Sequence, residues 1–201
     1  MRPLTPDDLL PLEEFAGQRR AHFEAHVRYV DRYRRVRLGP RLALVFENRQ
    51  TLWFRVQDVL RIARLADAAR LREELALYNR LLPGKGCLQA ALLIEVAEET
   101  RLTEELAPWQ ALEGHHLRLH AGDACAPATL ITCRPEDRCI GAAHWVRFAV
   151  EDACRKQLAD FRKPAFVGVS LPSYQHQGPP LSDELRQSLL DDLELSDRDA
   201  A

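Results

Sequence analysis

The chain reads as an α+β protein: N-terminal helices packed on a largely antiparallel sheet, ending in an acidic helix. Three observations lead there. Apolar residues recur at helical spacing through most of residues 5–78, interrupted by one short pair of strand-like runs. From residue 88 onward the apolar runs are short and are bounded by Gly, Pro and Asp, as strands are. Helices therefore come first and strands follow, which separates this chain from an alternating βαβ arrangement. At 201 residues it suits one domain, 1–193, with 194–201 as a disordered tail.

The elements follow in order. Thr5-Pro6-Asp7-Asp8 combines a hydroxyl cap, a proline at the first helical position and acids in the first turn. Pro11 interrupts that helix at once. A longer helix is expected over 13–35, with Phe15, Phe23, Val27 and Val30 as its apolar stripe. Arg20, Arg28, Arg32 and Arg35 lie off that stripe and make its exposed side basic. Residues 36–38 and 41–46 predict two strands around a Gly39-Pro40 turn. Leu52, Val56, Val59 and Ala63, spaced i, i+4, i+7 and i+11, predict the next helix. Gln57, Arg61 and Arg64 share another of its faces. A further helix spans 68–78, and Pro83–Gly86 is a loop.

Beyond it, 88–96, 115–120, 129–133, 143–150 and 165–171 are strand candidates. A short helix over 103–112 is disturbed by Pro108, and 151–161 is helical. Residues 181–193 form a last helix capped by Ser182, after which the chain is expected to fray.

Hydrophobic content of 46% with 29% charged residues is ordinary for a soluble globular protein. The N-terminus has no apolar h-region and turns acidic, and no uncharged run approaches the ~20 residues of a membrane helix. Neither a secretory signal nor a membrane span is expected. Five cysteines, odd in number and irregularly spaced, argue for reduced thiols in the cytoplasm rather than a disulfide framework.

Of the 28 basic residues only Lys85, Lys156 and Lys163 are lysines. Arginine's planar fork grips carboxylate or phosphate with paired bonds, although a G+C-rich genome gives the same bias through codon usage. Net charge is −2 overall but uneven. Residues 19–41 carry eight arginines against Glu24 and Asp31, while 181–201 carry seven acids against Arg186 and Arg198. Such asymmetry marks an interaction surface at one end and a solvating tail at the other; the basic helix face is otherwise solvated, or docks on an acidic partner or the C-terminal helix.

The stretch 41–64 holds the chief candidate site. Glu47, Asn48 and Arg49 crowd the junction of strand and helix, Arg55, Gln57 and Arg61 ride on that helix, and Tyr78-Asn79 end the next one. If the helices pair, these groups converge on a pocket that holds an anion by bidentate arginine bonds. The alternative is a buried network in which Glu47 pairs with Arg49 or Arg61 and satisfies backbone groups at the turn. His144, within a strand, joins the candidates as an acid–base group or as a structural hydrogen-bonder.

Metal and redox chemistry find weak support. His22 and His26 lie four apart on a helix, and His116 and His120 on one face of a strand, with Asp123, Cys125, Cys133 and Cys139 near in sequence. No Cys-x-x-Cys and no His-Glu-x-x-His occurs, so no metal and no cofactor are expected. Cys154, before Arg155-Lys156, and Cys139, after Arg138, have the cationic neighbours that an activated thiol needs. Tyr29 and Tyr33 interleave with arginines, but a pI near 6.4 makes nucleic-acid binding the least favoured reading. Gly168-Val169-Ser170-Leu171-Pro172 lacks the second glycine of a nucleophile elbow, and Gly84-Lys85-Gly86 lacks the spacing of a phosphate loop.

RRVRLGPRLALVFENRQTLWFRVQDVLRIARL (34–65), with EELALYNRLLP (73–83), resembles the bacterial domain-of-unknown-function family 3501. LTPDDLLPLEEF (4–15), LLIEV (92–96) and AAHWVRF (142–148) are similar to that family too, while 122–137 departs from its pattern. The resemblance implies no assigned activity. It implies genes set beside those for rubrerythrin-like and cysteine-rich iron–sulfur oxidoreductase proteins, hence an oxidoreductase as partner. The functional expectation is an accessory or binding protein of a redox or peroxide-detoxifying system. The alternative is an enzyme acting on an anionic small molecule held by arginines.

Overall fold

The computed structural model describes residues 1–65, 67–131 and 141–198. Its strands are β1 (Arg35–Leu38), β2 (Leu42–Glu47), β3 (Cys87–Ile94), β4 (Leu117–Ala121), β5 (Ala124–Ile131), β6 (Ala143–Ala149), β7 (Ala165–Leu171) and β8 (Tyr174–Gln177). Among the described residues these eight form one sheet, antiparallel throughout, in the order β1-β2-β3-β6-β5-β4-β7-β8. The α-helices are α1 (Leu12–Tyr33), α2 (Arg49–Ala63), α3 (Ala68–Asn79), α4 (Leu102–Leu106), α5 (Asp152–Ala159) and α6 (Asp183–Arg198).

Period-two alternation explains which side chains go inside. Register pairs Leu44 with Leu92, Ala90 with Val146 and Leu119 with Val167, so each strand contributes one apolar row to a common interior. The opposite row of β2, β3 and β6 (Val45, Ala91, Trp145) packs beneath α1 and α2. Helices on a sheet are therefore present, as the alternation of the sequence predicts.

The shape departs from the expected helices packed on a sheet: the sheet curls into a near-barrel. The Tyr174 hydroxyl at the start of β8 donates to the Leu38 carbonyl at 2.7 Å and accepts from the Arg41 amide at 3.0 Å, bringing the two edges together. Curling of this kind buries edge groups that an open sheet would expose. Leu181, Leu185, Leu189 and Leu193, with Cys154 and Leu158, close the interior where β3 and β7 begin. Leu106, Trp109 and Leu112 close it at the Tyr174 end.

Several boundaries moved for physical reasons. Pro108 splits the expected 103–112 helix into α4 and a 3-10 turn, Ala107–Trp109. The strand expected from 129 begins at Ala124, and β8 is polar, with burial too slight to leave an apolar pattern. The helix expected to end at 193 continues to Arg198. Ser196 is buried and donates to the Pro83 carbonyl at 3.2 Å, and Asp197 pairs with Arg155.

Gly39 turns β1 into β2 at φ +74°, and a Cβ there would sit 2.5 Å from the Tyr174 hydroxyl and 2.7 Å from the His176 ring. Gly39→Ala therefore both strains the backbone and wedges the barrel seam apart. We expect the melting temperature to fall by about 3–10 °C in a thermal scan, corresponding to roughly 1–3 kcal/mol.

Candidate functional site

The strand-to-helix corner is built around the cap of α2. Asn48 Oδ1 accepts from the backbone amides of Gln50 and Thr51 at 3.0 and 3.1 Å, and its Nδ2 donates to the Tyr29 hydroxyl at 2.8 Å. Capping of this kind satisfies helix-start donors that burial would otherwise strand. Glu47 is buried; it accepts a hydrogen bond from the Thr51 hydroxyl, and Arg55 Nε lies 2.8 Å from its other oxygen. Tyr29 also accepts from Arg34 Nε and Nη2 at 3.0 and 2.7 Å. Arg34 in turn pairs with Asp192 of α6, both almost fully buried. Burial pushes the Asp192 carboxyl up, against the Arg34 guanidinium and the Asn48 side chain, which hold it down.

The eight candidates thus do not meet in one pocket. Arg55, rather than Arg49 or Arg61, pairs with Glu47. Thr51 and Arg55 are one turn apart on the face turned toward the end of β2, whereas Arg61, six residues on, points about 120° away. Arg49 Nη2 instead lies 2.6 Å from Asp8, whose carboxyl it holds far below the usual range. Arg61 reaches Asp58 at 3.0 Å, a carboxylate that Arg19 also grips through two nitrogens at 2.8 and 3.2 Å.

Gln57 is wholly buried and donates to the Leu10 carbonyl at 3.4 Å. Asn79 accepts from the Leu4 amide at 2.8 Å and donates to its carbonyl at 2.9 Å, while Tyr78 packs with Leu52 and Val56. His144 pairs in register with Leu92 and is buried. Gln57 and Asn79 thus tie the N-terminal segment to α2 and to the end of α3.

The histidines are similarly engaged. His22 stacks on Phe15 at 5.5 Å and His26 on Phe54 at 4.2 Å, in the aromatic layer between α1 and α2. His116 Nδ1 accepts from the Glu113 amide at 2.9 Å, and His120 stacks on Phe166 at 4.7 Å. Among the described residues no three His, Cys, Asp or Glu side chains are placed to share a metal. Cys87, Cys125 and Cys154 are free thiols. Burial pushes the Cys154 thiol up, the opposite of what its cationic neighbours in the sequence suggest. Cys133 and Cys139 lie outside the described residues.

Burial first, then Arg55 and Arg35, holds His26 down to about 4 from the ordinary 6.5. Between those values the unfolded chain binds the proton more readily than the folded one. Stability is therefore full above pH 6.5 and falls as pH drops toward 4. His26→Phe keeps a ring on Phe54 but removes the titration. In urea denaturation it should recover on the order of 2 kcal/mol of the acid loss, allowing for solvent screening.

Open binding space lies elsewhere. A groove of ≈ 530 Å³ runs between β1 and the start of α6, lined by Arg32, Arg35, Arg37, Pro180 and Ser182, with Asp31 its one acid. Arg35 Nε lies 3.1 Å from Asp31, and Arg32 only loosely touches Glu184 at 3.4 Å. Among the described residues Arg37 has no carboxylate partner and is exposed. The signal for it is present in the sequence: Arg35 and Arg37 alternate along an edge strand and so share one face, one turn after Arg32 on the helix. The eight corner residues do not line this groove.

No helix among the described residues is long and apolar enough to cross a membrane. No curated protein matches the chain. It is similar to a novel protein of unknown function from Burkholderia pseudomallei K96243, known from a crystal structure. That protein is 29% identical over 96% of this chain and 100% of the other, with a TM-score of 0.86. The sequence profile described as protein of unknown function (DUF3501) matches residues 3–193, and the chain belongs to that family.

Proposed function

We propose that this is a cytoplasmic accessory binding protein that holds an anionic group, phosphate or carboxylate, in the groove between β1 and α6. The observation that carries the reading is the trio Arg32, Arg35 and Arg37 on one groove wall, opposed by a single acid. Guanidinium forks that are not already closed by carboxylates are suited to bidentate anion capture. Arg37 is the fork left open: Arg35 keeps Asp31 at 3.1 Å and Arg32 meets Glu184 at 3.4 Å, while the corner arginines Arg49, Arg55 and Arg61 each have a carboxylate within 3.0 Å. The anion is either a small molecule or an acidic segment of an oxidoreductase partner. The family resemblance supports the redox setting, and the free thiols of Cys87, Cys125 and Cys154 support a reducing compartment.

Calorimetric titration with inorganic pyrophosphate tests the reading. Arg37→Gln should weaken binding about tenfold, the loss of one charge-assisted hydrogen-bond pair, with an unchanged melting temperature. Equal affinity in the variant and the native chain would remove the proposed site.

A further inference from the structure

On the other side of the Arg32–Glu184 contact lies a second groove of opposite character, ≈ 520 Å³ in volume. One wall is Tyr29 and Tyr33 of α1 together with Phe161, and the other is the outer face of α6 with Asp183, Glu184 and Asp191. Three acids line it and no basic residue does. Asp183 and Asp191 make no ion pair among the described residues. Phe161 is 40% exposed, although its ring is large enough to have been buried had the site been closed.

We infer that this groove binds a basic peptide segment of a partner protein, taking arginine or lysine side chains between the rings and the α6 carboxylates. Aromatic faces attract cations through the ring quadrupole, most strongly beside carboxylates that share the charge. The rings here are already used in that way. Arg34 lies 5.3 Å from the Tyr29 centroid, Arg32 5.2 Å from that of Tyr33, and Arg186 4.7 Å from that of Phe161. A hydrated metal ion would gain little from three rings, because Mg²⁺ and Ca²⁺ demand oxygen ligands.

Length favours a peptide over a small free cation. Asp183 and Asp191 are eight residues apart on one helical face, about 12 Å along the axis. An extended segment places alternate side chains about 6.6 Å apart, so basic residues at i and i+4 would reach both carboxylates. This site shares no residue with the arginine groove, so either can fail without the other.

The test uses the full chain and a fluorescein-labelled Arg-Ala-Arg-Ala-Arg peptide, followed by anisotropy at 150 mM salt. Saturable one-to-one binding is expected. Asp183→Asn/Asp191→Asn should weaken it at least about tenfold and Phe161→Ala about threefold or more. Glu194→Gln, an exposed acid on α6 outside the groove, should leave it unchanged. All variants change exposed side chains, and thermal melts confirm that they fold. Equal loss in Glu194→Gln would reduce the effect to general charge and overturn the site. So would full affinity in the double variant. Methylguanidinium competing mole for mole with the peptide would overturn the peptide as occupant.

Discussion

Arg34→Met should destabilise the protein by about 3–5 kcal/mol, measured as a shift in the urea midpoint at constant slope. Both Arg34 and Asp192 are 2% exposed, so removing the guanidinium leaves a carboxylate inside the protein with only the Asn48 side chain to answer it. The same substitution takes two donors from Tyr29, which links this pair to the cap of α2. The pair itself contributes far less than its breakage costs, because two charges had to leave water to form it. Arg34→Met/Asp192→Leu is accordingly expected to return to within about 1–2 kcal/mol of the native chain. A double variant as unstable as the single one would mean that the charge interaction is not what holds α1 to α6.

Arg186→Met should cost a similar amount, about 3–5 kcal/mol, by a different mechanism. Arg186 is buried, and its guanidinium donates to four backbone carbonyls: Leu158, Lys163 at 2.7 Å, and Gln157 and Asp160 at 2.8 Å. These carbonyls end α5 and carry the chain toward β7, where among the described residues Gln157 and Asp160 otherwise accept only the turn amides of Asp160 and Lys163, at 3.2 and 3.0 Å. Burial pulls the guanidinium pKa down, while the charges of Asp183 and Asp160 hold it up. Arg186→Lys should recover only part of the loss, since an ammonium cannot spread four bonds over a planar fork. Hydrogen exchange should localise the damage to amides 160–163, which opening would expose first. Uniform loss of protection throughout the chain would contradict this local clamp.

The uneven charge of the sequence is partly answered within the fold. The basic 19–41 segment and the acidic 181–201 segment meet through Arg34–Asp192 and Arg32–Glu184. The possibility that the basic face docks on the C-terminal helix could be framed from the sequence, but not which residues would be buried. Elements with a strong period were legible: β7 falls on 165–171 as its apolar alternation requires, and α2 follows the Leu52–Val56 stripe. The first half of β5, ACAPA, was not, because alanine and proline carry little strand preference and register with β4 decides it. Curvature was not legible either. It depends on Tyr174 reaching Leu38 across 136 residues, a contact that no local pattern encodes.

The polar corner was legible in kind, but the partners of its arginines were not. Glu47, Asn48 and Thr51 do form a polar cap at the corner, as their residue types require. What could not be read was the direction of each arginine, fixed by tertiary neighbours: Asp8, from a segment 41 positions before Arg49, and Asp58, shared with Arg19. With these carboxylates closing the corner, Arg37, which has no carboxylate partner among the described residues, and its neighbours form the wall that we propose for anion binding.

The most direct measurement follows the arginine Nε–Hε signals by ¹⁵N–¹H NMR during titration with inorganic pyrophosphate. Arg35 and Arg37 should shift together and saturate, while Arg49, Arg55 and Arg61 stay where their carboxylates hold them. Saturable movement of the corner arginines with Arg35 and Arg37 unmoved, or no saturable movement at all, would contradict the placement of the binding groove between β1 and α6.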